Sequence, residues 1–415
     1  MRAIADAVCV TLLILATIQG VMVLRLWWTL RRNGRPVENG QPLPRAAVVL
    51  AVRGPDPFLA KCLTGLLEQD YPDYEVFIVV DCLTDPAWEV VSQVVADCGV
   101  THATVRHLET PRKTCSLKCS SLVQAISELE ATHEVVAFID ADVLPHRTWL
   151  RELVAPLADP TVGATTGNRW YLPQNPNWGS VVRSAWNVGA VVQMLTFRIA
   201  WGGSLAIRHS TLLESGLLDK WVRSFNDDIV LGAVVQKMNL KLQFVPSLLM
   251  VNHESCRFRE LIPWVRRQLV PLRLYHTQWP GLVCFGLTVL LTMLAGAVCL
   301  VASIFTGDVR SAWPVLVGGA GYFGLFVLVV EVLNRTVSRM VSERTEAVHC
   351  FHPRSFIAVP AAQFVFLIAL MWAVFARQLG WRGVTYRIAG PWDVKLLDYR
   401  PYQAHTKAAD ATVSL

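Results

Sequence analysis

The stretch Val135-Val136-Ala137-Phe138-Ile139-Asp140-Ala141-Asp142 decides how this chain is read. Five consecutive apolar residues without alternation describe a strand covered on both faces, and such strands belong to parallel sheets flanked by helices. The acids that end the run stand where open α/β sheets gather their ligands, beyond the carboxyl ends of the strands. Two carboxylates one residue apart present hard oxygen ligands to Mg2+ or Mn2+, with phosphate oxygens filling the remaining positions. Asp also ends strands simply as a turn residue. The position after a buried strand is what favours a functional pair here.

Upstream the same pattern recurs. Residues 46–52 form a β-type run, 57–69 carry helical spacing through Leu59, Leu63, Leu66 and Leu67, and 75–80 form a second run ending at Asp81. Helical stretches near 87–97 and 117–129 bracket a short strand near 104–107. Alternating strands and helices predict a mostly parallel, Rossmann-like α/β sheet. Arg53, Asp81 and Asp140 each follow a strand in this reading, so they are expected to converge on one edge. Lys118 opens a helical stretch, where it either neutralises a diphosphate or stands solvated.

Downstream, Trp201-Gly202-Gly203-Ser204 has little side-chain bulk and reads either as a place for close substrate approach or as a plain turn. Phe225-Asn226-Asp227-Asp228 precedes a helical pattern, where acids also suit a helix N-terminus. Asp228 is the stronger candidate for a general base, which must be an ionised carboxylate on a rigid element near a hydroxyl.

Composition sets this domain in its surroundings. Of 415 residues 53% are hydrophobic and 17% charged, against about 25% charged in a typical soluble domain. The surplus is concentrated in residues 7–28, 281–305, 312–330 and 356–376, which together hold one charge, Arg25. Each is long enough to cross a bilayer core, which takes about 20 helical residues. The roughly 250 residues between the first two stretches suffice for a core of their own. Nearly uncharged spans count against a transporter. A net charge of +6 without a recognisable nucleic-acid module counts against nucleic acid as a partner. The ten cysteines are scattered and read as free thiols.

The first stretch is longer than a signal-peptide core, lacks a cleavage pattern and ends in Arg31, Arg32 and Arg35, so it is read as an uncleaved anchor with the following domain in the cytoplasm. One conflict follows: a full crossing at 356–376 would put the tail from Arg377 outside, so either a C-terminal segment is re-entrant or the span count is off by one. The expected organisation is an anchor at 1–30, an α/β domain at 44–256, an interfacial amphipathic segment at 257–280, a membrane region at 281–377 and a basic tail at 378–415. Arg257 to His276 in that segment bears Trp264, Arg266, Arg267, Arg273 and Tyr275, and reads as a snorkelling interfacial helix, as a diphosphate contact, or as both.

Taken in order, Arg53-Gly54, residues 66–72 (Leu-Leu-Glu-Gln-Asp-Tyr-Pro), Asp81, Lys118 with Ser120-Ser121-Leu122, Asp140-Ala141-Asp142, Gly203-Ser204 with Arg208, Asp228, and Trp381-Arg382-Gly383 with Tyr386 resemble the membrane-bound glycosyltransferases of family 2. The nearest likeness is to the ceramide glucosyltransferase-like branch that includes hopanoid-associated bacterial members. The resemblance implies a GT-A fold, a bacterial inner-membrane setting and inverting transfer from a UDP-sugar, with glucose the commonest donor. It implies that Asp81 contacts the base, that Asp140 and Asp142 hold nucleotide and a Mg2+ or Mn2+ ion, and that Asp228 is the catalytic base. Arg53, Lys118 and Arg267 are assigned to the nucleotide-sugar, and Gly203, Ser204, Asp227 and Arg273 to the acceptor and donor pocket.

One departure stands out. The family's (Gln/Arg)-x-x-Arg-Trp signature aligns with Arg267-Gln268-Leu269-Val270-Pro271, so Val270 and Pro271 replace the Arg-Trp pair, and Arg273 or Arg266 is the expected substitute for the lost charge. The membrane-side basic segment points to a lipid acceptor with a free hydroxyl. The alternatives are a processive polysaccharide synthase and, from another class, a non-catalytic nucleotide-binding scaffold.

Overall fold

The computed structural model describes residues 1–33, 42–173, 177–341 and 353–402. A long helix α1 (Arg2–Asn33) leads into an alternating series: β1 (Ala46–Val52), α2 (Leu59–Leu67), β2 (Tyr74–Val80), α3 (Pro86–Cys98), β3 (Ala103–His107), α4 (Leu117–Ser127) and β4 (Val135–Ile139). Then come α5 (Trp149–Val154), β5 (Val162–Tyr171), α6 (Trp178–Phe197), β6 (Ser204–Arg208), α7 (His209–Glu214), α8 (Leu217–Trp221), α9 (Asp228–Lys237) and β7 (Lys241–Asn252).

These strands form one seven-stranded sheet in the order β3-β2-β1-β4-β6-β5-β7. β1 to β4 are mutually parallel, β5 pairs in parallel with β7, and β6 alone runs antiparallel to its neighbours β4 and β5. Both faces are covered. In β1, Ala47 and Val49 join one apolar cluster while Ala46, Val48, Leu50 and Val52 join the opposite one. This double burial is why the strands read as unbroken apolar runs. Local chemistry fixes the connections: Asp85 caps α3 through the Ala87 N–H, with Pro86 at the first helical position and Gly99 left-handed at the end (φ 61°), and Ser116 caps α4.

Beyond the sheet lie α10 (Leu261–Tyr275), α11 (Trp279–Thr306), α12 (Val309–Val341) and α13 (Ser355–Val374). With α1, the last three make four helices long and apolar enough to cross a membrane. Their packing gives directions. The start of α1 (Ala5, Val8, Leu12) packs with Cys299 and Val315 beside the tight α11–α12 turn at Gly307, whereas its end (Leu26, Leu30) meets Trp170, Leu249 and Leu333 next to the seven-stranded sheet. So α1, α11 and α12 each run between the sheet side and a far side.

α13 behaves differently, because both its ends lie on the sheet side. At its start the Arg354 guanidinium stacks on Trp178, the first residue of α6. At its end Arg273 of α10 donates to the carbonyls of Ala373 (2.8 Å), Val374 (2.7 Å) and Ala376 (2.7 Å). Three helices run between the sheet side and the far side and a fourth is tucked back, which removes the topological conflict posed by four full crossings.

Two segments differ from their reading as sequence. The interfacial segment is largely interior: in α10, Leu261, Trp264, Val265, Leu269, Val270 and Pro271 are buried, because the helix is sandwiched between the sheet domain and α13. The basic tail, as far as it is described, is an antiparallel sheet of β8 (Gln378–Trp381), β9 (Val384–Gly390) and β10 (Asp393–Tyr399). It docks on the α/β domain through the Leu396 N–H to the Lys113 carbonyl (2.9 Å) and the Leu117 N–H to the Tyr386 hydroxyl (3.0 Å). Residues 403–415 lie outside the described residues.

Candidate active site

The carboxyl ends of β1, β2 and β4 bring Arg53, Asp81 and Asp140 to one edge of the sheet. Arg53 is ion-paired with Asp81, both nearly fully buried. The Tyr399 hydroxyl at the end of β10 donates to the same Asp81 carboxylate (2.9 Å). Arg53 also donates to the carbonyls of Arg382 and Arg400, so the C-terminal sheet closes over this corner. Gly54 makes that closure feasible: its φ is +73°, and a Cβ there would stand 2.5 Å from the Tyr402 ring.

A few residues along the edge lies a web of charge. Lys118, on the first turn of α4, bridges Asp140 (2.7 Å) and Asp227 (3.0 Å). Burial works against its charge, but Asp140, Asp227 and Asp228 outweigh it and hold the ammonium well above its usual range. Arg169, from the end of β5, reaches Asp142 (3.2 Å) and Asp140 (3.5 Å) and donates to the Tyr171 hydroxyl (2.8 Å). Lys118 and then Arg169 overcome burial at Asp140 and keep it below the usual carboxylate range.

Asp142 goes the other way. Burial pushes its carboxyl up to about 6; Arg169 opposes this, and the nearby Asp140, Asp56 and Glu254 reinforce it. A crowded carboxylate short of positive charge fits a divalent cation. Two aspartates offer the hard oxygens that Mg2+ or Mn2+ prefers, and diphosphate would supply others. No group of three or more His, Cys, Asp or Glu side chains is arranged around a common point among the described residues.

Asp228 opens α9. The Ile229 N–H donates both to the Asn226 side-chain oxygen (2.9 Å) and to Asp228 Oδ1 (2.7 Å), Asp228 Oδ2 accepts from the Gly202 N–H (2.8 Å), and Asp227 is left for Lys118. Burial first, and then the adjacent Asp227, raise the Asp228 carboxyl to about 7, with Lys118 pulling against them. Gly202 has no room for a side chain: a Cβ there would lie 2.8 Å from Asp227 Oδ2, 3.0 Å from Lys118 Nζ and 3.2 Å from Asp228 Oδ2.

Arg267, on α10, stacks over Trp381 of β8 with its guanidinium carbon 5.5 Å from the ring centroid. Burial, and then Arg382 and Arg169, depress its pKa to about 10. It forms no hydrogen bond or ion pair with the described residues. A buried cation without a counter-ion of its own, crowded by two others, favours an anion beside it. Arg382 itself is tied to Asp56 (3.1 Å to Oδ2).

Asp228 also lines a cavity of about 400 Å3. One end is polar, with Asn168, Arg169, Asn226 and Asp228. The remainder is mostly apolar and reaches Met22 of α1, Phe285 of α11, Phe326 of α12 and Phe366 of α13.

The model of glycosyl transferase family 21 matches residues 8–391. The chain belongs to glycosyl transferase family 21. This family lies in the family 2 clan and is ceramide glucosyltransferase-like, so the chain is a glycosyltransferase. Among solved structures, a mannosyltransferase from Pyrobaculum calidifontis in complex with GDP-Man and Mn2+ shares 17% identity, with 89% of this chain and 99% of that one covered and a TM-score of 0.53. A glucosyl-3-phosphoglycerate synthase from Mycobacterium tuberculosis shares 16%, covering 55% of this chain and 78% of that one, with a TM-score of 0.38. At these identities the first likeness is one of fold and the second carries no weight. No curated protein matches the sequence.

Within this family 21 glycosyltransferase the structure brings together Lys118, Asp140, Asp142, Asp227 and Asp228, with Arg53 and Asp81 at one end and Arg267 at the other. It does not bring in three expected residues. Ser204 is fully buried in β6, where its hydroxyl accepts from the Trp149 indole (2.9 Å). Gly203 is held against the Trp201 ring, which a Cβ would approach to 2.2 Å. Arg273 and Arg266 face the carbonyls of α13 and β8, so the charge beside Arg267 comes from Arg382 and Arg169. Sequence reasoning missed Arg169, and it quoted Gly202 and Arg382 within their motifs without giving either a role of its own. Arg169 had one signal, a charge inside an otherwise uncharged strand of ten residues.

Proposed function

We propose that the chain is an inverting glycosyltransferase that moves a hexosyl group, glucose by family precedent, from a UDP-sugar to the hydroxyl of a membrane lipid. The observation that carries this reading is the cavity that joins Asp228 to the membrane helices. A water-soluble acceptor would have no use for an apolar passage ending among α1, α12 and α13, whereas a lipid could enter it with its hydroxyl at the polar end.

In this reading Arg53 and Asp81 hold the nucleotide base, with Tyr399 buttressing Asp81. Lys118 and Arg267 flank the diphosphate. Asp142, with Asp140, would hold Mg2+ or Mn2+, which when bound supplies positive charge to the diphosphate. Asp228 removes the proton from the acceptor hydroxyl as that oxygen forms its bond to the anomeric carbon and the bond from that carbon to the diphosphate breaks. A base with a pKa near 7 balances availability against proton affinity at neutral pH. The Gly202 N–H fixes its carboxylate, and Lys118 and Arg267 stabilise the departing negative charge. The arginines at the end of α1 support a cytoplasmic catalytic domain.

The test is incubation of membranes carrying the protein with labelled nucleotide sugars, followed by mass identification of the labelled product. One labelled lipid carrying one sugar is the expected outcome, lost in Asp228→Asn. Label found only in soluble glycans, or a ladder of oligomers, would overturn the reading.

A further inference from the structure

The spans are nearly uncharged, but they are not uniformly apolar. Gln19 of α1 and Gln363 of α13 both line the cavity, and each directs its amide N–H2 at the hydroxyl of Tyr322 on α12, at 3.5 and 3.4 Å. Amides inside a membrane are expensive to bury unless they are satisfied. These two share a single acceptor through long, weak bonds and make no other hydrogen bond among the described residues, so both carbonyls and the remaining N–H groups stay available. Neighbouring cavity walls, Ile18, Met22, Phe285, Phe326 and Phe366, offer them nothing. A cluster serving only as interhelical glue would be expected to saturate itself away from a cavity.

Position adds a depth. Leu30 on α1 and Leu333 on α12 mark the sheet-side level, where both pack with Trp170 and Leu249. Gln19 and Tyr322 each lie eleven residues deeper along their helices, which at 1.5 Å per residue is about 16 Å. The two helices agree on this distance, counted along their axes, and Gln363 meets Tyr322 from the middle of α13.

We propose that Gln19 and Gln363 select acceptors whose apolar body carries a second hydrogen-bonding group, such as a mid-chain hydroxyl, well below the hydroxyl that receives the sugar. The inference rests on the lipid-acceptor reading and adds a chemical requirement to it. An amide presents both donor and acceptor, so a hydroxyl is matched in both capacities. A plain alkyl chain in the same place leaves both amides without partners.

The experiment compares octadecan-1-ol with octadecanediols bearing the second hydroxyl at carbon 8, 10 or 12, using full-length protein in phosphatidylcholine vesicles. One well-placed hydrogen bond corresponds to up to about tenfold in affinity, so at least one diol should show a KM lower by about that factor with kcat little changed. In the near-isosteric Gln19→Met and Gln363→Met variants that preference should vanish, while the KM for octadecan-1-ol stays the same or falls. Equal shifts for both acceptor types would mean a purely structural role and overturn the proposal. So would a wild-type enzyme that treats all the alcohols alike. Transfer to none of the lipid alcohols, with transfer to a soluble sugar acceptor, would instead bring down the lipid reading and this inference with it.

Discussion

At the scale of the residue, the site depends on how three aspartates divide one lysine. Lys118 is bonded to Asp140 and Asp227, while Asp228 accepts from two backbone N–H groups, those of Gly202 (2.8 Å) and Ile229 (2.7 Å), and its carboxyl is raised to about 7. With Asp228 as the proposed base, active when ionised, kcat/KM should be level above pH 7 and fall about tenfold per unit as pH drops below it. Asp227→Asn removes a neighbouring negative charge that raises Asp228, so in that variant the acidic limb should move to lower pH. A pH–rate profile of both proteins checks the sign. Gly202→Ala should lower kcat/KM by about 100-fold, the scale of a misplacement near 1 Å, with the melting temperature little affected. This glycine shows the limit of sequence reading. The segment Trp201-Gly202-Gly203-Ser204 was legible as special, but which glycine serves the site depends on where the Asp228 carboxylate arrives from another element.

At the scale of the element, legibility followed burial. β1, β2 and β4 were readable because both faces are covered, leaving unbroken apolar runs. β8 to β10 were not. Each buries only scattered positions, such as Leu379, Val384, Tyr386, Ile388 and Val394, and their intervening arginines, lysine and aspartates look like a solvated tail. α10 misled in the opposite direction: its arginines suggested an interfacial helix, yet Arg266 and Arg273 spend their charge on the carbonyls that end α13 and form β8. Arg273→Met should therefore destabilise the protein by about 1–3 kcal/mol through unpaired carbonyls, lowering the thermal midpoint while leaving the donor KM unchanged. A raised donor KM at unchanged stability would restore Arg273 to the pocket. The polar positions Gln19, Tyr322 and Gln363 were overlooked because an uncharged helix does not reveal from sequence which face meets a cavity.

At the scale of the whole molecule, the composition announced a membrane, and the helical stretches near 7–28, 281–305, 312–330 and 356–376 correspond to α1, α11, α12 and α13. What composition could not show is that α13 returns to the side it left, since a tucked helix and a crossing helix satisfy the same hydropathy. The expected outcome in sealed vesicles is that a thiol-reactive, membrane-impermeant label reaches a cysteine placed at Asp393 and one at Arg106 from the same side, and a cysteine at Gly307 only from the other. Labelling of positions 307 and 393 from one side would contradict the tucked arrangement.

The same arrangement fixes where a product would emerge. Asp228 opens α9 on the sheet side, whereas the Gly307–Asp308 turn and the first turn of α1 mark the far side. A glycolipid made at Asp228 would therefore be released into the leaflet that faces the catalytic domain. Its display on the opposite leaflet would require a separate lipid translocator.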